Sequence, residues 1–565
     1  MNATTEEAFV FPAPPAPDIE EWPGNPIGAS NTITRTKTRT AVHNKALDET
    51  PARRDALIDT ARQHAASSGR IYQHDVVIHG LKARAITNRA HLYDYWVDNW
   101  FSLADWKERT GLEVSGEPDI TVYALGGVTE EEEAAYYSRA KNTIVFFNTS
   151  YYGQLKSWTL GAVGRILAAD HGIHSIHGAC IEREGRGVLY IAPTGTGKST
   201  SSYGLMGLPE TRFHSDDWVY VRYCYRHRHG DWVQPLSVTP AAGAPVKGYR
   251  IYRWLDAHPD DATATLRGRT LDDRLVSFPL AELDRSTLPR GFAYTSEKVF
   301  YLRSNLVENF PEIVSEMLAS KFENCPEVTE RFLREQARIL DDLEAGAVGE
   351  SHLDHADHFR QLDRDARRRL LARMYAFDNT RAMLDIVPVF GADHVFTNPL
   401  EPVELSRIIL LQRSPEREEV VARLPLPRFI ERLLLGITPE QKREIAYNAY
   451  RAVDDEREKV FIKGLEAEAK QYNTGLYDAY LAHAGRDLPE TLYEEFELFH
   501  MMHRVCACYE MNTILQRDPQ VKTKRQAVER TMGLLDLLTA AEPPTLSLTL
   551  QNYAQYLPQA VAGAL

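Results

Sequence analysis

The stretch Leu189–Leu205, LYIAPTGTGKSTSSYGL, reads in three parts. The apolar run GVLYI predicts a buried strand. A loop with glycines at Gly195 and Gly197 follows, and Lys198-Ser199-Thr200 opens a helix. Glycines let successive backbone N–H groups turn inward with no Cβ in the way. The helix start adds the positive end of its dipole. Lys198 is placed to reach β- and γ-phosphates, and the Ser199 hydroxyl to ligate Mg2+. The segment predicts a nucleotide phosphate site made of Thr194, Gly195, Thr196, Gly197, Lys198, Ser199 and Thr200, with Ala192 standing where the G-x-x-x-x-G-K-[ST] pattern has its first glycine.

A phosphate loop works with an acid at the end of a neighbouring strand, which holds the metal directly or through water. The segment RFHSDDWVYVRYCY supplies Asp216 and Asp217 ahead of the alternating Trp218, Tyr220 and Arg222. Adjacent carboxylates on a strand face opposite sides, so one of the two can meet the metal.

The rest of the chain bounds this reading. A length of 565 residues exceeds what one hydrophobic core organises and predicts two or three domains. Hydrophobic content of 43% and charged content of 25% are those of an ordinary globular protein. The net charge of −14 argues against a general role on nucleic acid or a membrane surface. The five cysteines are scattered and odd in number, so no disulfide framework is expected, and Cys506-Ala507-Cys508 reads as buried thiols. The early residues MNATTEEAF lack an apolar core, and no run reaches the ~18 apolar residues of a membrane span. The expected location is the cytoplasm.

The expected fold class is α/β in several parts. Residues 1–29 are a proline-rich, weakly ordered lead-in, and 30–180 an α+β domain. Residues 181–415 are a mixed-sheet domain around the phosphate loop, and 416–565 a mainly helical region. Leu155, Trp158, Ala162, Val163, Ile166 and Leu167 mark an amphipathic helix over 155–170. Thr438-Pro439-Glu440-Gln441 reads as a capping box. His352, His355 and His358 read as a solvated helix face rather than a metal site.

The order of motifs resembles ATP-dependent phosphoenolpyruvate carboxykinase, over roughly residues 30–415. That family has a G-T-G-K-[ST]-T loop followed by Asp-Asp, as Gly195–Thr200 and Asp216-Asp217 are here. Upstream, YYGQLKSWTLGAVGRILAADHGIHSIHGA is similar to its tyrosine–glycine–lysine segment, helix and metal-binding histidine. The resemblance places Tyr151 at the substrate, Lys156 in the lysine segment and His177 at the histidine. FDNTRAMLDIVP places Arg381 against the transferring phosphate, and TITRTKTRTAVHNK gives Arg39, with Arg35 close behind, as the binder of a substrate carboxylate. The sequence departs from the family at Ser157, where the family has a second lysine, and at Trp218, where it has an acid. Which of the paired lysine positions ligates metal stays open. The nucleotide core also resembles that of HPr kinase, in SIHGACIEREGRGVLYIAPTGTGKST followed by SDDWVYV.

These resemblances imply a cleft that binds ATP and a small carboxylate substrate. His177, Asp217, Lys156 and Ser199 are the metal candidates, for Mn2+ or Mg2+; nitrogen ligands favour Mn2+. Lys156, Lys198, Arg381 and Asp216 are the catalytic candidates. The implied reaction is decarboxylation of oxaloacetate and phosphorylation of the enolate, giving phosphoenolpyruvate. One alternative is a diverged kinase that phosphorylates a hydroxyl of a small molecule, peptide or protein, with Asp216 or Asp217 as base. Another is a non-catalytic nucleotide-binding regulator that meets a protein partner through the helical C-terminal region.

Overall fold

The computed structural model describes residues 19–21, 33–36, 44–46, 48–149, 152–192, 201, 204–295, 297–303, 341, 344–345, 360–368, 380–385, 387, 390–435, 456–483, 489–513, 515–522, 524–540 and 547–557. The chain is of the α/β class, with three sheets among the described residues, two of them mixed. Among the described residues no helix is long and apolar enough to cross a membrane. The Thr438 capping box, the His352–His358 series and Cys325 lie outside the described residues. Cys180, Cys224, Cys506 and Cys508 are free and buried.

A seven-stranded sheet is built from residues 44–147. Its order is Asn44–Ala46, Ala134–Ser138, Thr143–Phe147, Ile120–Leu125, Leu81–Thr87, Tyr72–Ile78 and Phe101–Ser102. The inner strands Ile120–Leu125 and Thr143–Phe147 are parallel and apolar because helices cover both faces. Helix Pro51–Ser67 covers one face through Leu57, Ile58 and Ala61. Helices Ala90–Asn99 and Tyr152–Ile166 cover the other. The apolar segment LYDYWVDNWFSLADW is broken by the strand Phe101–Ser102, and Ser102 restarts the helix Leu103–Thr110. Its hydroxyl accepts from the Asp105 N–H, while the Asp105 carboxylate accepts from the Ser102 N–H, both at 3.1 Å.

The largest sheet has fourteen strands. Its central strand, Val403–Gln412, runs parallel between Arg186–Ile191 and Ala507–Asn512. Residues beyond 416 therefore supply not only helices but the strands Glu419–Arg423, Ala507–Asn512 and Leu548–Thr549 of this sheet. A division at 415/416 would part Val403–Gln412 from its neighbour, and one at 180/181 falls inside the strand His174–Arg183.

A four-stranded antiparallel sheet joins Ile19–Glu21, Ile33–Thr36, Thr380–Asp385 and Val299–Arg303. Its register sets Thr34 opposite Arg381 and Arg35 opposite Thr380. The backbone of the N-terminal arginine segment thus lies beside the Asn-Thr-Arg segment from the far side of the chain.

Helix Tyr152–Ile166 continues as a π turn over Leu167–His171. It is buried on nearly every side and carries two inward cations, Lys156 and Arg165. Arg165 Nη2 lies 3.3 Å from Glu458, and its Nη1 lies 3.7 and 3.8 Å from Glu494 and Glu495. These acids stand on helices Glu456–Tyr472 and Glu490–Val505, so the ion cluster ties the C-terminal helices to the middle of the molecule.

Candidate functional site

Four separate pieces of chain converge beyond the far end of the Arg186–Ile191 strand. Helix Tyr152–Ile166 brings Lys156, and strand His174–Arg183 brings His177. The bend between strands Thr211–Ser215 and Trp218–His227 brings Asp216 and Asp217. The crossing between Arg290–Tyr294 and Val299–Arg303 brings Glu297.

Backbone pairing fixes the middle of this arrangement. His177 is the Cα partner of Trp218, and the Gly178 N–H donates to the Asp217 carbonyl at 3.0 Å. Gly178 in turn pairs with Ile191, where the strands run so close that a Cβ on Gly178 would lie 2.9 Å from the Tyr190 carbonyl oxygen. The chain leaves the sheet at Ala192, one strand away from His177. Open α/β sheets bind ligands outside the carboxyl ends of their strands, and Ala192 follows such an end.

Side chains complete the cluster. His177 Nε2 is 2.9 Å from Asp217 Oδ1, and the imidazole stacks on the Trp218 ring at 5.6 Å. Lys156 Nζ lies 3.1 Å from Asp217 Oδ2 and 2.7 Å from Glu297 Oε1. The Lys156 and Glu297 side chains are each 3% exposed, against 20% for Asp217 and 22% for His177. The cluster therefore has a dry end and a wet end. Burial pushes the Glu297 carboxyl up from its ordinary value; Lys156 opposes the shift, and the Asp217 and Asp216 carboxylates reinforce it. Asp216 is buried behind the bend at 3% exposure.

Lys156, His177 and Asp217 are thus brought together. Tyr151, Arg39 and the loop residues Thr194, Gly195, Thr196, Gly197, Lys198, Ser199 and Thr200 lie outside the described residues, and Arg381 is described by its backbone alone. Ser157 turns away from the cluster: its hydroxyl donates to the Gly153 carbonyl at 2.8 Å along the helix. Trp218 is a core residue at 3% exposure, which leaves no acid at that position. Glu297 escaped sequence reasoning. In TSEKVF it is one acid between two strands, and only the fold makes it a partner of Lys156.

An imidazole nitrogen and a carboxylate oxygen side by side at the wet end are a fit donor pair for a divalent cation. Among the described residues no third His, Cys, Asp or Glu donor completes a group with them. Further ligands would come from a hydroxyl, nucleotide phosphates or water, as Mg2+ and Mn2+ sites in phosphoryl-transfer proteins commonly have.

No family model matches the chain. Two curated proteins from Urochloa panicoides, phosphoenolpyruvate carboxykinase (ATP) 1 and phosphoenolpyruvate carboxykinase (ATP) 2, are each 31% identical to it over 131 residues. The matched part is 22% of this chain and spans 20% of the length of either relative. The likeness is to an ATP-dependent carboxykinase, in part of the chain.

Proposed function

We propose that the chain transfers a phosphoryl group from ATP with a divalent metal, in a reaction of the carboxykinase type. The observation that carries this reading is the meeting of Lys156, His177 and Asp217 where the phosphate-loop segment leaves the sheet. The partial likeness to two ATP-dependent carboxykinases supports the same class. Oxaloacetate loses CO2, and the electron pair of the broken C–C bond forms the enolate. The enolate oxygen then bonds to the γ-phosphorus as the bond to ADP breaks. A Mn2+ or Mg2+ ion held by His177 and Asp217 would neutralise charge on the phosphates. Lys198 and Arg381 steady the moving phosphoryl, while Arg39 and Tyr151 hold the substrate carboxylate. We assign Lys156 to an oxygen of substrate or phosphate rather than to the metal, because two carboxylates beside it favour its ammonium form.

Glu297 favours a second reading. A buried carboxylate next to Lys156 could take the proton of a hydroxyl acceptor as its oxygen bonds to the γ-phosphorus. One assay separates the two. Purified protein with ATP, Mn2+ and oxaloacetate should form phosphoenolpyruvate, and Lys198→Ala should remove that activity. ATP binding with no phosphoenolpyruvate would reject the carboxykinase reading and direct the search to hydroxyl acceptors.

A further inference from the structure

We infer that the chain holds a second divalent-metal site of the zinc type, made by His227, His229 and Glu282, apart from the candidate catalytic cluster. One nitrogen of each imidazole and one Glu282 oxygen lie within 4.8 Å of one another. His227 ends the strand Trp218–His227, whose first residue neighbours Asp217. A ten-residue strand separates the two places by roughly 30 Å.

Backbone hydrogen bonds hold the two turns that carry these side chains. The His227 N–H donates to the Asp231 carbonyl at 2.7 Å, and the Gly230 N–H to the His227 carbonyl at 2.8 Å, closing the turn. Gly230 sits at φ 101°, which keeps that turn tight. The Arg228 N–H donates to the Glu282 carbonyl at 2.9 Å, and His227 is the Cα partner of Leu283. Two turns are thereby held side by side. The His227 ring packs against Phe278 at 4.4 Å, which leaves its Nε2 edge toward Glu282.

The spacing suits a pair of metal ligands as well as a hydrogen bond. His227 Nε2 and Glu282 Oε2 are 3.2 Å apart. An N–H···O hydrogen bond spans about 2.7–3.2 Å. Two ligands of a tetrahedral zinc ion with bonds of about 2.0–2.1 Å stand about 3.3 Å apart. The exposed His229 ring lies 5.0 Å from that of His227, centroid to centroid, and can complete the third ligand, with water as the fourth. Two imidazoles and one carboxylate suit zinc and its d-block neighbours over Mg2+ or Ca2+. Such an ion would clip the turn after His227 to the Leu280–Glu282 segment.

The test uses tag-free, full-length protein stripped with a chelator and titrated with Zn2+ against a chromophoric competitor. A site retained in the double variant His177→Ala/Asp217→Asn, and weakened at least about tenfold by His229→Ala and by Glu282→Gln, is the expected result. Co2+ in its place should give visible absorption bands that the same two substitutions remove. His229 is exposed and Glu282→Gln keeps the side-chain shape, so both variants should fold, which circular dichroism checks. Zinc affinity unchanged in both folded variants, or lost only in the His177→Ala/Asp217→Asn protein, would overturn the assignment.

Discussion

One helix, Tyr152–Ile166, carries two buried cations that face opposite fates. Lys156 meets Asp217 and Glu297; roughly 13 Å further along the axis, Arg165 meets Glu458, Glu494 and Glu495. Around Arg165, Glu458, Glu494 and Glu495 are at most 1% exposed, whereas Asp217 and His177 keep about a fifth of their side-chain surface. A sealed cluster can only hold elements together, because no outside group can reach it. A cluster with one wet edge can exchange a protein partner for a phosphate, a carboxylate or a metal ion. Exposure of a single carboxylate–imidazole pair, rather than the number of charges, separates the structural cluster from the candidate functional one.

The largest effect should come from the sealed side. Arg165→Leu takes the shared cation from three carboxylates in a dry site, of which Glu494 keeps Arg139 at 2.8 Å, and its cost is expected at about 3–5 kcal/mol. Urea denaturation checks this, and a loss below about 1 kcal/mol would mean that the cluster is not sealed. Lys156→Ala takes the cation from the buried Glu297 and so should also cost stability, but its distinguishing effect should be on turnover, lowering kcat about 10²–10³-fold, since a positioned cation near developing charge is worth about 3–4 kcal/mol. A folded Lys156→Ala protein with wild-type turnover would make both clusters structural.

A third test sharpens the contrast on the helix Glu490–Val505. Burial, with Asp256 adding to it and Arg253 opposing, pushes the Glu497 carboxyl up to about 7. Between the ordinary carboxyl range and that value the folded state keeps a proton that the unfolded state has lost. Stability should therefore fall as pH rises through this window, by at most about 3 kcal/mol. Glu497→Gln should flatten that slope in denaturation curves taken from pH 4.5 to 7.5; an unchanged slope would assign it to other groups. The smallest effect belongs to the wet edge. His177→Ala and Asp217→Asn should each weaken Mn2+ binding about 10–100-fold by electron paramagnetic resonance titration, with little loss of stability. Unchanged affinity in both would leave the pair as an ordinary surface hydrogen bond.

Much of this was legible in the sequence where a local rule applied. The apolar spacing from Leu155 to Leu167 marks the helix, and the glycine-rich loop with its following Asp-Asp points to His177 and Asp217 through the resemblance. Periodicity could not say that the helix is buried on nearly all sides, so neither Lys156 nor Arg165 reads as an inward cation. Glu297 and Glu458 become partners only through contacts between distant segments, and no local spacing encodes those. The strand Ala507–Asn512 was missed for a related reason. ACYEMN has no clean alternation, because the strand lies between Val403–Gln412 and Glu419–Arg423 and is largely buried.

The central place of Val403–Gln412 also sets an order of assembly. The seven-stranded sheet needs only residues up to 147, so it can close while the chain is still being made. The strand Arg186–Ile191 cannot: its parallel neighbour arrives roughly 220 residues later, Leu189 being opposite Ile408. At ribosomal speed that is a wait on the order of ten to forty seconds. Throughout it, one of the most apolar strands of the molecule presents an open edge, ready to pair with another nascent chain. The segment that feeds the phosphate loop is therefore a point at which synthesis of this protein is exposed to aggregation, and one that a chaperone would protect.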